Sequence, residues 1–583
     1  MRCFRLLSST SSLILPLRHT SDRFKPINEH EILQQWLESY GTDLLYIYGS
    51  SRLSEASDHI LHSLVENNKK RSTKDLILTF TLSKYDDRRN NIVSMLATLL
   101  AGCFLHTQNM TDFLVYEQLT YYRSWTMKEL IVLWNTVLGH NDHEGIIVVI
   151  SGIDQCDSSK DLFLQDLALF LSLTEHRIKI LITGTDDDSV KKTLGDYRSI
   201  DLQSVAIHDV DKAVTTLEIN RTFVNLVYEN PVFSRFKTEV TQYLVPFNTD
   251  RESLRLAFNY LKHNPEIVQR EQASKSWPTT ITNIFEQVFN NIREEDRQRV
   301  QDVMYWVFNS LRPFALWELG TALFMERSNH TIGEEEFGKE VEQFASEVEA
   351  FEHLFQGLLV VESHDVVVAH AELRIFLDSV GTDCWYHISK DATRIVEVSL
   401  KFFGSTKAQE RIHNRYLHKP AQGQSAVFPQ DFDDHFLPGE GYFHRYSFGS
   451  YAAHYWPKHY LTLPEATRTS VPAAFLKNKA AYRAWEQVLW WTDNPVKRRV
   501  RTFISPMPLL ANLGLQDLIP LDEDTDQIDR SLALAEAARN GHIEIVRALL
   551  KYGDYSKHDM QTVLNTGGSS GKDDFNLTPK KGY

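Results

Sequence analysis

The sequence predicts a multidomain chain. A doubly wound parallel α/β sheet comes first, helical regions follow, and a short helical repeat array comes last. Three observations predict this. Short runs of branched apolar residues alternate with helical patterns over residues 26–210. The apolar spacing then changes to that of helices, interrupted by one hairpin-like stretch near residue 360. Near the C-terminus a segment carries the small-residue and glycine spacing of a helix-pair repeat. At 583 residues, 42% hydrophobic and 11% aromatic, the chain has material for several cores.

Residues 26–43 open with Ile32, Leu33, Trp36 and Leu37 at helical spacing. Leu44-Leu-Tyr-Ile-Tyr-Gly49 reads as a buried strand ending in a turn. Ser50-Ser-Arg-Leu-Ser-Glu-Ala-Ser57 follows, then a helix with Ile60, Leu61 and Leu64 on one face. Strand, small-residue loop and helix form the skeleton of a phosphate-binding loop. A working loop has Gly, four residues, Gly-Lys and a hydroxyl, so that backbone N–H groups, a cation and a Mg²⁺ ligand meet the phosphates. Counting from Gly49 puts Ser54 at the second glycine, Glu55 at the lysine and Ala56 at the hydroxyl. A carboxylate at the lysine position repels a triphosphate by several kcal/mol in order of magnitude where water is scarce. The frame is kept and its chemistry is removed.

Leu76–Leu82 reads as a second strand, and Asp86-Asp-Arg-Arg89 precedes a long apolar helix from Ile92 to Phe104. Another helix spans Trp125 to Leu138. Gly145-Ile-Ile-Val-Val-Ile-Ser151 is nearly all branched, as in a strand covered on both faces. It runs into Ser151-Gly-Ile-Asp-Gln-Cys156. A helix around Phe163–Leu173 leads to the strand Ile178-Lys-Ile-Leu-Ile-Thr183. In a doubly wound sheet ligands sit at the strand C-termini, which places Gly49 and Ser151 at one edge.

In order and spacing, these four segments resemble the NACHT domain of STAND-type P-loop NTPases, closest to the fungal NACHT–ankyrin group. The resemblance implies a strand ending in Asp-Gly/Ala-Leu-Asp-Glu-Cys. Here Ser151 replaces the Mg²⁺-holding acid, Asp154 is kept, and Gln155 replaces the water-aligning Glu. The family's Ser-Arg after the fourth strand is Gly184-Thr185 here. Lysine, hydroxyl, metal acid, catalytic glutamate and sensor arginine are all lost, while the apolar strands remain. The expectation is a degenerate, P-loop NTPase-like domain over 26–210 with no catalytic residues and no metal ligands. If nucleotide is retained, the expected contacts are Gly49, Asp154 and His370, with ATP or ADP and Mg as the alternative cofactor.

Residues 211–276 read as a helical domain, with helices at Asp211–Phe223, Phe236–Val245 and Arg251–Lys262. Residues 277–380 begin at Trp277-Pro, with Thr279 or Thr280 available as a helix cap. Ile284, Val288 and Ile292 share a face, as do Val303, Trp306, Val307 and Leu311. Leu311–Leu323 is similar to the family's winged-helix region, and Phe355–His370 reads as a hairpin turning at Ser363–Asp365. The resemblance implies that His370 can reach a bound phosphate; the alternative is a histidine satisfied inside the core. Residues 381–500 read as a further helical domain. In it Val396, Leu400 and Phe403 share a face, and Phe443–His459 is similar to an aromatic family helix. Gly404–Gly439 is the expected loop.

Leu532–Gly553 is similar to an ankyrin repeat, with Gly541 at its turn. Met507–Leu518 is a weaker copy, and Asp574–Pro579 is the possible start of another, so 501–583 is expected to be ankyrin-like. Protein partners through these repeats, or self-association, follow from the resemblance.

The net charge of −15, with few basic residues in the winged region, argues against nucleic-acid backbone binding. No apolar run reaches membrane-spanning length, so no membrane partner is expected. Four scattered cysteines fit free thiols in a reducing compartment, and the expected location is the cytoplasm. The acid-free, Arg- and Ser-bearing stretch 1–20 makes a mitochondrial leader the alternative, with 1–25 set apart as leader or disordered terminus. No HExxH, GxSxG or zinc-ligand spacing occurs. The reading is a NACHT/ankyrin pseudo-NTPase scaffold in signalling; the alternative is a nucleotide-binding switch.

Overall fold

A computed structural model describes residues 24–49, 53–71, 75–106, 127–139, 145–156, 160–174, 176–187, 197–205, 208–248, 251–269, 277–327, 348–362, 365–406, 448–468, 471–493, 505–520 and 526–552, with isolated positions between them. The leader, the body of the 404–439 loop, the hairpin tip at 363–364 and the repeat start at 574–579 lie outside the described residues. The chain divides into two compact units. The first comprises residues 1–316 and 343–389, and the second 317–342 and 390–583.

The first unit is built on a five-stranded parallel sheet: β1 (Asp43–Tyr48), β2 (Leu76–Thr81), β3 (Ile146–Ser151), β4 (Ile178–Gly184) and β5 (Arg198–Asp201). Their order is β2-β3-β4-β1-β5. All seven residues of β4 are buried, and so are the five apolar residues of β3. A strand with neighbours on both sides and helices on both faces has no polar side, so its sequence is a run and not an alternation. One face carries Leu45, Ile47, Ile147, Val149, Leu181 and Ile200. They pack against Leu33 and Trp36 of α1 (Glu31–Glu38) and Ala56, Ile60 and Leu64 of α2 (Leu53–Arg71). α3 (Ile92–His106) lies on β2 and against α4 (Met127–Gly139) and α5 (Lys160–Leu173). Trp134 and Phe170 meet edge to face where α4 and α5 cross. This is the doubly wound architecture of an α/β P-loop NTPase-like domain, with helical regions after it. Residues 26–43 form one turn at Lys25–Asn28 and then α1, capped by His30, whose Nδ1 accepts the Ile32 N–H.

Next come α6 (His208–Glu229), α7 (Lys237–Leu244) and α8 (Arg251–His263), followed by α9 (Ile281–Asn291) and α10 (Glu294–Asn309). Thr280 is the cap of α9: its hydroxyl accepts the Asn283 N–H. β6 (Phe314–Ala315) pairs antiparallel with β8 (Asp365–Val368), which pairs with β7 (Leu359–Glu362). α11 (Leu316–Arg327) follows β6 in the chain, α12 (Val348–Phe355) precedes β7, and α13 (Glu372–Ser379) follows β8.

In the second unit α14 (Thr393–Gly404), α15 (Phe448–Thr462), α16 (Val471–Lys477) and α17 (Lys479–Asp493) pack around Trp456, Phe475 and Trp485. α15 contains Pro457. Proline has no N–H, so the carbonyl of Ala453 one turn earlier loses its helical donor. The buried Trp485 indole N–H fills that place at 3.0 Å. α18 (Met507–Asn512), α19 (Gln527–Arg539) and α20 (Ile543–Tyr552) pack in sequence. Ala533, Ala537 and Ala538 are buried at the contact. Gly514 has φ +77°, and a side chain there would stand 2.8 Å from the His542 ring. His542 Nε2 in turn faces the Asn512 carbonyl at 3.0 Å.

Candidate functional site

Parallel register sets the site. Tyr48 lies opposite Gly184, and Ser151 opposite Thr183, so the ends of β1, β3 and β4 share one edge. Gly49 follows β1 with φ +98°, the left-handed turn that a phosphate loop uses. Residues 50–52, the centre of that loop, lie outside the described residues. Behind Gly49 stands Asp201 from the end of β5. A side chain on Gly49 would press into the Asp201 carboxylate, which accepts the Gln203 N–H at 2.9 Å.

Counting from Gly49 assigns Ala56 to the hydroxyl position. Ala56 is fully buried in the face between α2 and the sheet. The hydroxyl that reaches β3 is the next one along: Ser57 Oγ lies 2.7 Å from Ser151 Oγ, and Ser57 is buried. Thus the place where a loop hydroxyl meets a metal-holding acid contains two neutral hydroxyls bonded to each other. Glu55 is half-buried on the first turn of α2.

After β3, Gly152 adopts φ +77° and turns the chain into the short helix Ile153–Gln155. Asp154 Oδ2 accepts from the Gln155 side-chain amide at 2.8 Å. Ile153 is buried directly over Gly184: a Cβ at 184 would clash with Ile153 Cγ2 and approach Asp154 Oδ1 and the Tyr46 hydroxyl, both at 3.4 Å. The space beside position 184, where the resemblance implies the serine that precedes the sensor arginine, is therefore filled by a leaning isoleucine. Tyr46 donates its hydroxyl to the Thr185 carbonyl. Burial, and then the charges of Asp187, Asp154 and Asp186, push that hydroxyl well above its ordinary pKa of 10.0. The only buried lysine among the described residues is Lys179, near the start of β4 and at the opposite end of the strand, where it donates to the Leu37 carbonyl.

Gly49 and Asp154 are thus brought together beside Gly184. His370 is not joined to them by any described contact. It is buried before α13, with Nε2 at 3.1 Å from the Ser253 hydroxyl and Nδ1 accepting the Glu372 N–H at 3.2 Å. Both ring nitrogens are in use, and the acceptor at Nδ1 fixes the Nε2–H tautomer. The Phe285 ring packs beside it. Sequence reasoning missed three residues. Ser57 had a visible signal, a hydroxyl one place after the counted one. Tyr46 and Asp201 had none, because their roles come from register. The residues present do not fit a Mg²⁺ nucleotide: Glu55 stands at the counted lysine position, Ala56 at the hydroxyl, Ser151 at the first acid and Thr185 at the sensor arginine. Among the described residues no group of three His, Cys, Asp or Glu side chains is arranged to hold a metal. No helix there is long and apolar enough to cross a membrane. Cys103, Cys156 and Cys384 are free thiols.

Residues 24–185 match a family described as "Nephrocystin 3, N-terminal". That interval is the α/β sheet up to the end of β4. A comparison with curated proteins gives no match. Among solved structures, the Aeropyrum pernix ORC2 protein in its ADP form is similar at 12% identity, over 64% of this chain and 95% of that one, with a TM-score of 0.28. Drosophila ORC bound to GC-rich DNA and Cdc6 is similar at 11% identity, over 97% of this chain and 91% of that one, with a TM-score of 0.24. Scores this low transfer nothing of those proteins' functions to this chain.

Proposed function

We propose that this chain is a pseudo-NTPase scaffold: an α/β P-loop NTPase-like domain whose nucleotide edge has been rebuilt, serving as a platform for protein association. One observation carries the reading. The strand tips hold a hydroxyl pair, Ser57 with Ser151, in place of a loop hydroxyl and a metal acid. Glu55 at the counted lysine position disfavours a triphosphate, and Ile153 fills the space beside Gly184 where the resemblance implies a serine. The finer parts of the reading rest on element order. α10, β6, α11, α12, β7 and β8 follow one another as in a winged helix, and α18–α20 have the alanines and glycine turns of ankyrin repeats. A packing role for the first and a protein-binding role for the second, in cytoplasmic signalling, complete the proposal. The acidic balance supports protein partners over nucleic acid.

A second reading is a nucleotide-binding switch that keeps ATP or ADP through the Gly49 turn, Asp154 and the Ser57 hydroxyl. It is favoured by the retention of that hydroxyl at β3. Titration of the purified chain with fluorescent ATP and ADP in the presence of Mg²⁺ separates the two. The scaffold reading expects no saturable binding at millimolar nucleotide. Micromolar binding that is lost in Asp154→Ala overturns it and establishes the switch.

A further inference from the structure

Three helices of the first unit end close to one another. Glu229 is the last residue of α6, Lys262 and His263 are the last two of α8, and His353 lies in the last turn of α12. Lys262 Nζ stands 3.3 Å from Glu229 Oε2, which joins the ends of α6 and α8. The His263 and His353 rings lie 5.6 Å apart between centres, with their planes at 57°. Neither ring makes a hydrogen bond among the described residues. The rings of His370, His459 and His542 are each bonded to a neighbour. His263 is half-buried and His353 exposed, so the pair is open to solvent.

The backbone fixes the spacing of the two rings. Gly357, two residues after α12, has φ +85°, and a Cβ there would stand 2.5 Å from Asn259 Cβ on α8. Asn264, next after His263, donates its amide to Gln356 Oε1 at 3.1 Å and to the Tyr260 carbonyl at 2.8 Å. Two imidazoles on one Zn²⁺, with bonds of about 2.0–2.1 Å, have ring centres about 3.2 Å from the metal and about 5.2 Å apart at a tetrahedral angle. The observed 5.6 Å departs from that by about 0.4 Å, which rotation of the exposed His353 side chain covers. At about pH 7.5 an imidazole of ordinary pKa is neutral, the form that binds metal. Glu229 is near enough to His263 for its charge to act on that ring. Two histidines and a carboxylate oxygen suit zinc over the hard cations calcium and magnesium. Three helix C-termini also converge here, and their unpaired carbonyls favour a cation.

We propose that His263 and His353 form a two-histidine Zn²⁺ site that joins the end of α8 to the end of α12, with Glu229 and water completing the coordination. Two ligands stand in place. Glu229 takes the third position by leaving Lys262, whose side chain is 36% exposed and turns to solvent. Zinc held there ties together helix ends that are distant in the sequence, and it stabilises the folded chain by mass action. The site shares no residue with the strand tips, so it stands or falls separately from the scaffold reading.

The test is a ZnCl₂ titration of the full chain, stripped of metal beforehand, against a chromophoric chelator at about pH 7.5. Wild type is compared with His263→Ala, His353→Ala and the control His387→Ala. The proposal expects saturable uptake at micromolar Zn²⁺ that weakens at least about tenfold in each of the first two variants and is unchanged in the control. Zn²⁺ should also raise the thermal midpoint of wild type and of the control, and not that of His353→Ala. Absence of saturable uptake overturns the proposal. So does uptake of wild-type affinity in either His263→Ala or His353→Ala, since the pair is then not the ligand set. His353 is exposed and its ring bonds nothing in the core, so a folding failure of His263→Ala leaves His353→Ala to decide.

Discussion

Gly49→Ala probes how tightly the loop turn is built into the sheet. The glycine has φ +98°, and a Cβ built there overlaps the Asp201 carboxylate. The left-handed backbone costs a non-glycine residue about 1–2 kcal/mol. Asp201 relieves the overlap only by giving up its bond to the Gln203 N–H, at about 1 kcal/mol. The sum, about 2–3 kcal/mol, is a factor of roughly 30–150 in an opening equilibrium. Native-state hydrogen exchange of the β1 and β4 amides in the full chain reads this directly. Gly49→Ala should accelerate them by that factor. Asp201→Gly alone gives up the same bond and should cost about 1 kcal/mol, so Gly49→Ala combined with Asp201→Gly, which removes both the overlap and the bond, should lose no more than Gly49→Ala alone. Exchange within about threefold of wild type in the single variant refutes the reasoning, since it means the turn relaxes at no cost. A double variant no worse than Asp201→Gly alone would assign the whole effect to the carboxylate and none to φ.

Three further outcomes follow from the geometry. His370→Ala removes the ring's bonds to the Ser253 hydroxyl and the Glu372 N–H and should lower the urea unfolding midpoint by an amount equivalent to about 1–3 kcal/mol, with nucleotide titrations unchanged; a stability-neutral variant contradicts the core role of this ring. Against burial, which alone would raise it, the Arg88 hydrogen bond and the charges of Arg88 and Arg89 hold the Asp86 carboxyl below 3.8 in the fold, so its contribution is complete above that pH and is lost as the pH falls below it. Arg88 also reaches Asp365 at 3.7 Å. Hydrogen exchange at 365–368, followed from about pH 6 to about pH 3 and corrected for intrinsic rates, should therefore show the loss only at the acid end. Asp86→Asn should flatten that profile, and a transition near neutral pH would point to a different group. In the second unit, Trp485→Phe leaves the Ala453 carbonyl without a donor and should cost about 1–2 kcal/mol in a thermal melt, in order of magnitude. Adding Pro457→Ala restores a helical N–H to that carbonyl, so it should stabilise the Trp485→Phe background more than wild type. Equal effects in both backgrounds would show that the indole bond is not a replacement for the helical one.

β1 to β4 were legible because a strand buried on both faces is written as a run of branched residues, and β3 and β4 are such runs. β5 was not, because the edge strand Arg198–Asp201 buries only Ile200 and its sequence is polar. β6 has two residues, too few for any period. The loop frame was legible as strand, glycine and helix. The count puts Ala56 at the hydroxyl place, and counting along the chain cannot see that Ser57 is the side chain α2 turns toward β3. His370 shows the same limit from the other side. Its sequence context allowed a phosphate contact and favoured a satisfied core ring, and the ring's partner, Ser253, lies 117 positions away. Tyr46 and Asp201 become visible only when register places them beside Thr185 and Gly49.

The losses at the strand tips are interlocked, and that argues for a rebuilt edge over a site that merely lacks parts. A serine at position 184 meets Ile153, so it cannot return until the turn after β3 moves. That turn is fixed by the Gly152 N–H to the Thr183 carbonyl at 3.0 Å and by the Leu82 N–H to the Ser151 carbonyl. An acid at position 151 would break the hydroxyl pair with Ser57 and add charge to an edge where Asp154, Asp186 and Asp187 already hold the Tyr46 proton. A reversion at 151 or at 184 therefore disturbs a contact that now holds the fold, and no single substitution restores the motif that the resemblance implies.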